Sequence, residues 1–193
     1  MDHVPESDQQ IIEEVRSGNT RRYAILVDRH KERAMTLAVR LVGNREEAEE
    51  IVQDAFLRAF RGLDQFRGDA RFTTWFYRIV YNLCMTKMSR RGPRHETVDL
   101  LDEKQRDRGE EAVSVLERME QEEFQAMLAE EVQRLPEKLK TAVTLFYVQE
   151  MSYEEMAETL DLPLGTVKTN LFRGRNLLRQ RMLEKLRDEV SVS

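Results

Sequence analysis

The sequence predicts an all-α protein made of two small helical domains joined by a flexible acidic linker, with a helix-turn-helix in the C-terminal domain. Three observations predict this architecture. Apolar residues recur at helical spacing along most of the chain, and no stretch alternates as a strand would. A charged stretch with few apolar residues interrupts the pattern. A short helix, a tight turn and a longer helix follow it. We therefore expect a first domain at 1–94, a linker at 95–118 and a second domain at 119–193.

The first domain is predicted to contain three long helices. Asn19 is a candidate cap for the first, which carries an apolar stripe from Tyr23 to Leu41 and ends at Gly43. His30 lies on that stripe and is interpreted as a packed histidine. Asn44 caps the next helix, and a third runs from about residue 72 to 90. The second helix has a regular apolar stripe formed by Ala48, Ile51, Val52, Ala55, Phe56, Ala59 and Phe60, and an opposite face formed by Glu50, Gln53, Asp54 and Leu57.

Composition excludes several classes of protein. The single cysteine, Cys84, allows neither an intrachain disulfide nor a cysteine-rich metal cluster, and we interpret it as a buried small hydrophobe. No apolar run approaches the roughly 18 residues that span a bilayer, and the N-terminus lacks the features of a signal peptide. We expect no membrane insertion, no metal or other cofactor, and a location in the reducing cytoplasm.

Charge is distributed in blocks that the formal net charge of −5 conceals. Residues 56–95 contain nine basic and two acidic residues, and residues 163–187 contain seven and one. Residues 96–135, by contrast, contain five basic and thirteen acidic residues. Because salt limits the reach of exposed charges to about 10 Å, a polyanion responds to such local fields. The two basic segments are candidate nucleic-acid surfaces, although solvated helix faces would have the same composition.

The C-terminal domain carries the helix-turn-helix pattern. Ser152 and Glu155 form a predicted capping box, Ala157 allows close helix crossing, and Leu162 and Val167 fill the angle between the helices. Asp161 stands in the turn where glycine is common, and aspartate tolerates the left-handed backbone required there. Such motifs place the second helix in the major groove, and a generic three-helix packing unit is the alternative. The candidate contacts to duplex DNA are Thr166, Lys168, Thr169, Phe172, Arg173 and Arg175.

An aromatic and basic segment precedes Pro93. Residues 66–81 hold six of the fourteen aromatic residues, interleaved with arginines. Stacking on aromatic rings contributes about 1–3 kcal/mol per unpaired base, so the segment is a candidate single-strand site. The alternative is that helical spacing buries several of the rings in the core. The candidate contacts are Phe66, Arg67, Arg71, Phe72, Trp75, Arg78 and Asn82.

These segments, in this order, resemble the extracytoplasmic-function (ECF) group of sigma-70 family sigma factors over roughly residues 8–187. The first domain carries AEEIVQDAFLRAF (48–60) and FRGDARFTTWFYRIVYN (66–82). The second carries LPEKLKTAV (135–143) and SYEEMAETLDLPLGTVKTNLFRGRNLL (152–178). The two signatures together are specific to this group. The second signature alone is less specific, because similar helix-turn-helix units also end response regulators.

The resemblance implies a transcription initiation factor, active in stress responses, that binds core RNA polymerase at its β′ clamp and β flap. The region 2-like first domain would dock on the clamp through Glu50, Gln53, Asp54 and Leu57 and capture a flipped base of the −10 element. The region 4-like second domain would read the −35 element. The acidic linker would thread towards the polymerase active-site channel, and an anti-sigma factor would control the whole.

Two other classes remain open on the residues alone. A stand-alone DNA-binding regulator would use the helix-turn-helix without polymerase, but it gives no reason for the Gln53 and Asp54 face or for the aromatic segment. An interaction module would bind no nucleic acid. An enzyme is disfavoured, because the sequence has no Gly-rich phosphate loop, nucleophile–base constellation or metal-ligand cluster.

Overall fold

The computed structural model describes residues 6–90 and 121–192, with side chains given only up to 187 in the last helix. Every regular element in these ranges is helical, so the all-α prediction is confirmed. The predicted linker at 95–118 lies outside the described residues, and the domain boundaries stay a prediction. We call residues 6–90 the first module and 121–192 the second module. The helices are α1 Asp8–Arg16, α2 Tyr23–Val42, α3 Arg45–Gly62, α4 Phe72–Ser89, α5 Gln121–Gln133, α6 Glu137–Tyr147, α7 Tyr153–Leu160 and α8 Leu164–Val192, with short 3-10 turns at Thr20–Arg22 and Leu63–Gln65.

Local chemistry sets the ends of the first helices. Gly43 ends α2 with a left-handed backbone (φ 73°), and the Asn44 side chain accepts a hydrogen bond from the Glu47 amide at 2.9 Å to begin α3. The prediction that Asn19 caps α2 was wrong. The 3-10 turn Thr20–Arg22 separates Asn19 from the start of α2 at Tyr23, and the Asn19 side chain makes no capping hydrogen bond.

The core of the first module lies where α2, α3 and α4 pack against one another. Leu37, Ala55 and Phe76, one from each helix, are fully buried there. The Phe76 ring lies 4.5 Å from that of Phe56 and 5.7 Å from that of Phe72, measured between ring centroids. Burial of these rings and aliphatic side chains is the main driving force for the packing.

Helix α1 is fastened to this core by apolar and ionic contacts. Its Ile11 and Ile12 are fully buried. Asp8 lies 2.7 Å from His30 Nε2 and 3.0 Å from an Arg29 guanidinium nitrogen, both on α2. The His30 ring is buried 5.4 Å from that of Phe72, so the interpretation of His30 as a packed histidine is confirmed.

The second module packs α6 and α7 against the long helix α8, with α5 covering its distal half. A Cβ atom placed on Gly174 of α8 would lie 2.8 Å from Val143 Cγ2 and 3.3 Å from the Leu139 carbonyl oxygen of α6. Only glycine lets the two helices approach so closely. Towards the end of α8, the buried Glu131 carboxylate of α5 contacts Arg134 and Lys185, each at 3.0 Å.

The two modules are in contact, with α4 packed on α7 and α2 on α6. Arg33 lies 3.3 Å from Glu150, and its carbonyl oxygen accepts a hydrogen bond from Gln149 Nε2 at 2.9 Å. Most buried apolar residues of the two modules form one continuous cluster, and Met127, Met182 and Leu186 form a separate one towards the end of α8. We call this region the contact zone; its polar members are Arg33, Arg71, Thr74, Arg78, Gln149, Glu150, Glu155 and Asp161.

Among the described residues, no helix is both long enough and apolar enough to cross a bilayer. In the same ranges, no cluster of three or more His, Cys, Asp or Glu side chains could hold a metal ion.

Candidate functional site

The helix-turn-helix is built by its local sequence. Ser152 Oγ accepts a hydrogen bond from the Glu155 amide at 3.1 Å, and the Glu155 carboxylate accepts one from the Ser152 amide at 2.9 Å, so the predicted capping box is confirmed. Asp161 has the left-handed backbone expected of it (φ 55°), and the Leu162 amide then donates to the Ala157 carbonyl at 3.1 Å. Val167 is fully buried behind the turn. These bonds fix the angle at which α8 leaves α7.

The first three turns of α8 present an exposed polar and basic face. Phe172 is 64% exposed, which is unusual for a phenylalanine and indicates a surface made for contact. The Thr169 hydroxyl donates a hydrogen bond to the Gly165 carbonyl oxygen at 2.8 Å, and this bond fixes the rotamer of the Thr169 side chain, including its methyl group. We call this surface the reading face; it comprises Thr166, Lys168, Thr169, Phe172 and Arg173, all exposed.

Arg175 differs from the other predicted contacts on α8. It is only half-buried, and its guanidinium carbon lies 4.9 Å from the Phe146 ring centroid and 5.3 Å from that of Tyr147. Its charge therefore lies over two aromatic faces at the end of α6. The prediction that Arg175 contacts DNA stays a prediction, with the side chain directed towards those rings.

The aromatic and basic segment divides cleanly by depth. Phe66 and Phe72 are buried, whereas Trp75 is half-buried and lies 5.1 Å from the Phe66 ring. The polar side chains of the segment lie on the surface. We call this surface the strand face; it comprises Arg67, Arg71, Arg78 and Asn82, all exposed. The rings thus build the core from which the basic side chains project.

A hollow of about 190 Å³ lies beside Asn82 at the end of the strand face. It is formed between α3 and α4 by Arg58, Ile79, Asn82, Leu83 and Thr86. Its lining combines an amide able to pair with a base edge, apolar side chains and a cation. Arg58 is a member of this hollow that the sequence pattern did not single out.

Two arginines of the strand face contact the helix-turn-helix. An Arg71 guanidinium nitrogen lies 3.3 Å from the Glu155 carboxylate, and an Arg78 nitrogen lies 3.7 Å from that of Asp161. Glu155 thus serves both as a helix cap and as an ionic partner. A cleft of about 820 Å³ opens beside these pairs, between Thr74 of α4 and Tyr147 of α6.

The outer face of α3 contains the predicted polymerase contacts. Gln53 is exposed, and Leu57 is 55% exposed although it is apolar. Two of the acids have cationic partners: Glu50 lies 2.9 Å from Lys87 Nζ of α4, and Asp54 lies 3.0 Å from Arg58. A protein partner would meet an apolar centre flanked by charges that are held in place.

Phe60, the last residue of the apolar stripe of α3, lies at the edge of the core. It is 40% exposed, and its ring packs edge-on against that of Tyr23 at 5.0 Å. Phe60 lies three residues after Leu57, on the same side of α3. Phe60 consequently extends the apolar surface that begins at Leu57.

Cys84 lies on the buried side of α4, where burial raises the pKa of its thiol to about 12. Its thiol is therefore protonated and unreactive at neutral pH. The interpretation of Cys84 as a buried small hydrophobe is confirmed.

Family models and curated relatives both match the chain. The model of sigma-70 region 2 matches residues 26–94, and that of sigma-70 region 4 matches residues 115–178. The RNA polymerase sigma-H factor of Pseudomonas aeruginosa is 35% identical over 95% of this chain and 97% of its own. The ECF sigma-E factor of Escherichia coli K12 is 33% identical over 89% and 92%, and the ECF factor SigW of Bacillus subtilis is 33% identical over 89% and 94%. The chain belongs to the ECF group of the sigma-70 family.

Two solved structures share this fold. CnrH, solved in complex with the cytosolic domain of CnrY, superposes with a TM-score of 0.66 at 24% identity, covering 92% of this chain and 97% of CnrH. The sigma factor RpoE, solved with the anti-sigma factor NepR from Bartonella quintana, superposes with a TM-score of 0.62 at 20% identity, covering 84% of this chain and 96% of RpoE. As a sigma factor, this chain is a transcription initiation factor and not an enzyme. It binds core RNA polymerase and directs it to promoters through their −10 and −35 elements.

Proposed function

We propose that the second module of this sigma factor reads the −35 element with its reading face. The observation that carries this proposal is the exposure of all five side chains at the start of a helix whose exit angle is fixed by a helix-turn-helix. Arg173 and Lys168 supply hydrogen-bond donors for guanine edges or phosphates, and the Thr169 methyl group and Phe172 suit a thymine methyl.

The first module, in this proposal, holds the unwound strand of the −10 element. Arg67, Arg71 and Arg78 would contact phosphates, and Asn82 would pair with a base edge at the hollow beside it. Trp75 is the ring best placed to stack, since part of it is exposed. Phe66 and Phe72 would act from inside by supporting Trp75, because both are buried.

The outer face of α3 would dock on the β′ clamp of the polymerase. Leu57 and Phe60 give this surface an exposed apolar centre, and Gln53 supplies a polar group beside it. Apolar centres with polar rims are the usual anatomy of protein interfaces. A contact of the second module with the β flap completes the proposal, with the domain boundaries at 94 and 119 that the sequence predicts.

Binding of promoter DNA would replace the ion pairs of the contact zone. Arg71 lies 3.3 Å from Glu155 and Arg78 lies 3.7 Å from Asp161. In this proposal the two carboxylates compete with phosphates of the −10 strand for the same arginines. We therefore propose that the two modules separate when the sigma factor engages a promoter.

The cleft between the modules is also the surface that we propose for control by an anti-sigma factor. A partner held there would contact both modules at once and keep the arginines of the strand face from DNA. The sigma factor would act in the cytoplasm, where RNA polymerase and promoter DNA are found. Competition between a purified candidate anti-sigma factor and core polymerase for the full chain tests this part, and simultaneous binding of both would contradict it.

Run-off transcription with core polymerase tests the reading face. Arg173→Ala should lower initiation at a −35-dependent promoter about 10- to 100-fold and relax base preference at one position, since a bidentate base contact contributes about 1–3 kcal/mol. Arg45→Ala is the matched control, because Arg45 is a highly exposed arginine on α3, in the other module. Undiminished initiation by the Arg173→Ala protein would contradict the assignment.

Reversible crosslinking tests the separation of the modules. Arg33→Cys and Glu150→Cys can be joined by a reducible bis-maleimide, since their side chains meet in the contact zone and neither belongs to a proposed DNA or polymerase surface. The buried Cys84 should not react. We expect the crosslinked chain to lose promoter-directed initiation and to regain it on reduction, while singly substituted chains treated alike stay active. Full initiation by the crosslinked chain would contradict the proposal that the modules separate.

A further inference from the structure

Three aromatic side chains form a shelf beside the reading face. The rings of Phe146 and Tyr153 are stacked at 5.4 Å with 19° between their planes, and Tyr147 meets Phe146 edge-on at 5.0 Å. Phe146 and Tyr147 end α6, and Tyr153 begins α7. We call these three residues the aromatic shelf.

Two cations of α8 lie over this shelf. Lys168 Nζ is 5.6 Å from the Tyr153 ring centroid, and the Arg175 guanidinium lies over Phe146 and Tyr147. The two cations are seven residues apart, which is close to two helical turns, so they project from the same side of α8. A cation over a ring face is attracted by the ring quadrupole, and both contacts are within the range where that attraction is effective.

Arg175 has more contact with the shelf than Lys168 has. Its guanidinium carbon lies 4.9 Å and 5.3 Å from two ring centroids, whereas Lys168 Nζ lies 5.6 Å from one. Arginine stacks well on aromatic faces because its guanidinium is planar and weakly hydrated. A side chain held in this way does not extend towards a base edge.

We propose that the aromatic shelf is a positioning device for the reading face. Arg175 joins α8 to the shelf and sets the rotation of the reading helix, and Tyr153 holds the Lys168 ammonium at the position where a DNA phosphate arrives. Neither Arg175 nor the rings read a base. The inference rests on the proposed −35 function of α8 and assigns a role to residues outside the reading face.

The physical gain is pre-organisation. A free lysine side chain loses rotamer freedom when it binds a phosphate, and this cost weakens binding. Over the Tyr153 ring, part of that freedom is already lost in the unbound protein. Removal of the ring should therefore weaken DNA binding even though the lysine remains.

A double-mutant cycle on Lys168 and Tyr153 tests the inference, with the full chain bound to core polymerase and a promoter duplex carrying the −35 element. Tyr153→Leu should weaken binding about two- to fivefold and lower the salt slope by up to about one, the value expected for one lost phosphate contact. Tyr153→Phe, which keeps a ring, should bind as the unaltered chain does. Tyr153→Leu added to Lys168→Ala should cause no further loss, because the lysine that the ring holds is gone.

Each outcome of this cycle is decisive. If the two losses multiply in the double variant, the ring does not act through Lys168 and the inference is overturned. If Lys168→Ala itself has no effect, the proposed reading face is wrong at that position, which is a different failure. Thermal unfolding of each variant identifies losses that come from misfolding, and Tyr147→Leu provides a second test at a ring that is 56% exposed.

Base preference tests the role of Arg175. We expect Arg175→Ala to weaken binding to all −35 variants by the same factor, and Tyr147→Leu to do the same more weakly. A change in preference at a single base pair on Arg175→Ala would show that Arg175 reads a base and would overturn the positioning role.

Discussion

The interior of the first module and the contact zone differ in chemistry although both join neighbouring helices. The interior joins α2, α3 and α4 through aliphatic side chains and the rings of Phe56 and Phe76. In the contact zone, the Thr74 hydroxyl and the side-chain oxygen Oε1 of Gln149 are buried without a hydrogen-bond partner in the described part of the chain. A buried polar atom without a partner costs about 1–3 kcal/mol, and regains water when the surfaces separate.

The ion pairs of the contact zone are similarly suited to separation. Arg71 and Asp161 are both more than four-fifths exposed, and the pairs they form are of the kind that contributes about 0–1 kcal/mol. The difference between the two regions teaches that the kind of contact decides whether a surface can open. The interior depends on buried apolar packing, whereas the ion pairs of the contact zone lose little when they separate, which suits modules that must separate on DNA.

The largest expected effect comes from the interior of the first module. Phe76→Ala should lower the free energy of unfolding by about 3–5 kcal/mol, because it leaves a cavity among packed rings. Fluorescence of Trp75, the single tryptophan, follows the unfolding of this module in urea. Phe172→Ala is the matched control and should change stability by less than about 0.5 kcal/mol, since that ring is exposed. Equal losses in the two variants would remove the basis of the comparison.

The interior of the second module should respond to a single added methyl group. Gly174→Ala should cost about 1–3 kcal/mol, because the new Cβ would overlap Val143. Gly165→Ala, in the same helix with open space around it, should be neutral or stabilising by up to about 1 kcal/mol. Circular dichroism during thermal unfolding measures both. Val143→Ala should recover part of the loss in the Gly174→Ala chain, and failure to do so would place the clash elsewhere.

The contact zone should respond with the opposite sign. Thr74→Val replaces a buried hydroxyl that has no partner by a methyl group of the same shape, so we expect a gain of about 1 kcal/mol in stability. Promoter-directed initiation should fall, because separation of the modules becomes harder. Thr86→Val is the control on the same helix; its hydroxyl is exposed and bonded to the Asn82 carbonyl at 2.8 Å, and no gain is expected. A loss of stability in Thr74→Val would show that the hydroxyl has a partner after all.

Features that depend on neighbours in sequence were predictable. Gly43, Asn44, the Ser152–Glu155 box and Asp161 each act within four residues of their own position, so residue type alone indicated the backbone there. The Asn19 cap was wrong for the complementary reason. A preference for caps is weak, and the 3-10 turn that precedes α2 overrides it.

Features that depend on distant neighbours were not predictable. The sequence left open whether the rings of the aromatic segment are buried or contact unpaired bases, because that depends on which helices cover them; Phe66 and Phe72 are buried. Arg71 meets Glu155 and Arg175 meets Phe146 only after the chain has folded. Both contacts change the environment of side chains whose residue types had already indicated nucleic-acid binding.

The smallest effect concerns ionic contacts within and between the modules. Burial by itself raises the pKa of Asp8, but the hydrogen bonds and charges of His30 and Arg29 outweigh it and hold the pKa below the ordinary value of 3.8. The ionised carboxylate therefore stabilises the fold above that value, and its contribution is lost as pH falls through the lower pKa of the folded state. Asp8→Asn should cost about 1 kcal/mol at neutral pH, and the difference in unfolding free energy from the unaltered chain should vanish in acid.

Asp161→Asn tests the contact zone by the same kind of substitution. Asparagine also tolerates the left-handed backbone there, and the Asp161 carboxylate is largely exposed, so urea unfolding at neutral pH should show a change below about 0.5 kcal/mol. A loss in Asp161→Asn as large as that in Asp8→Asn would mean that the pair between the modules is as strong as the cluster within one, and that separation of the modules is costly.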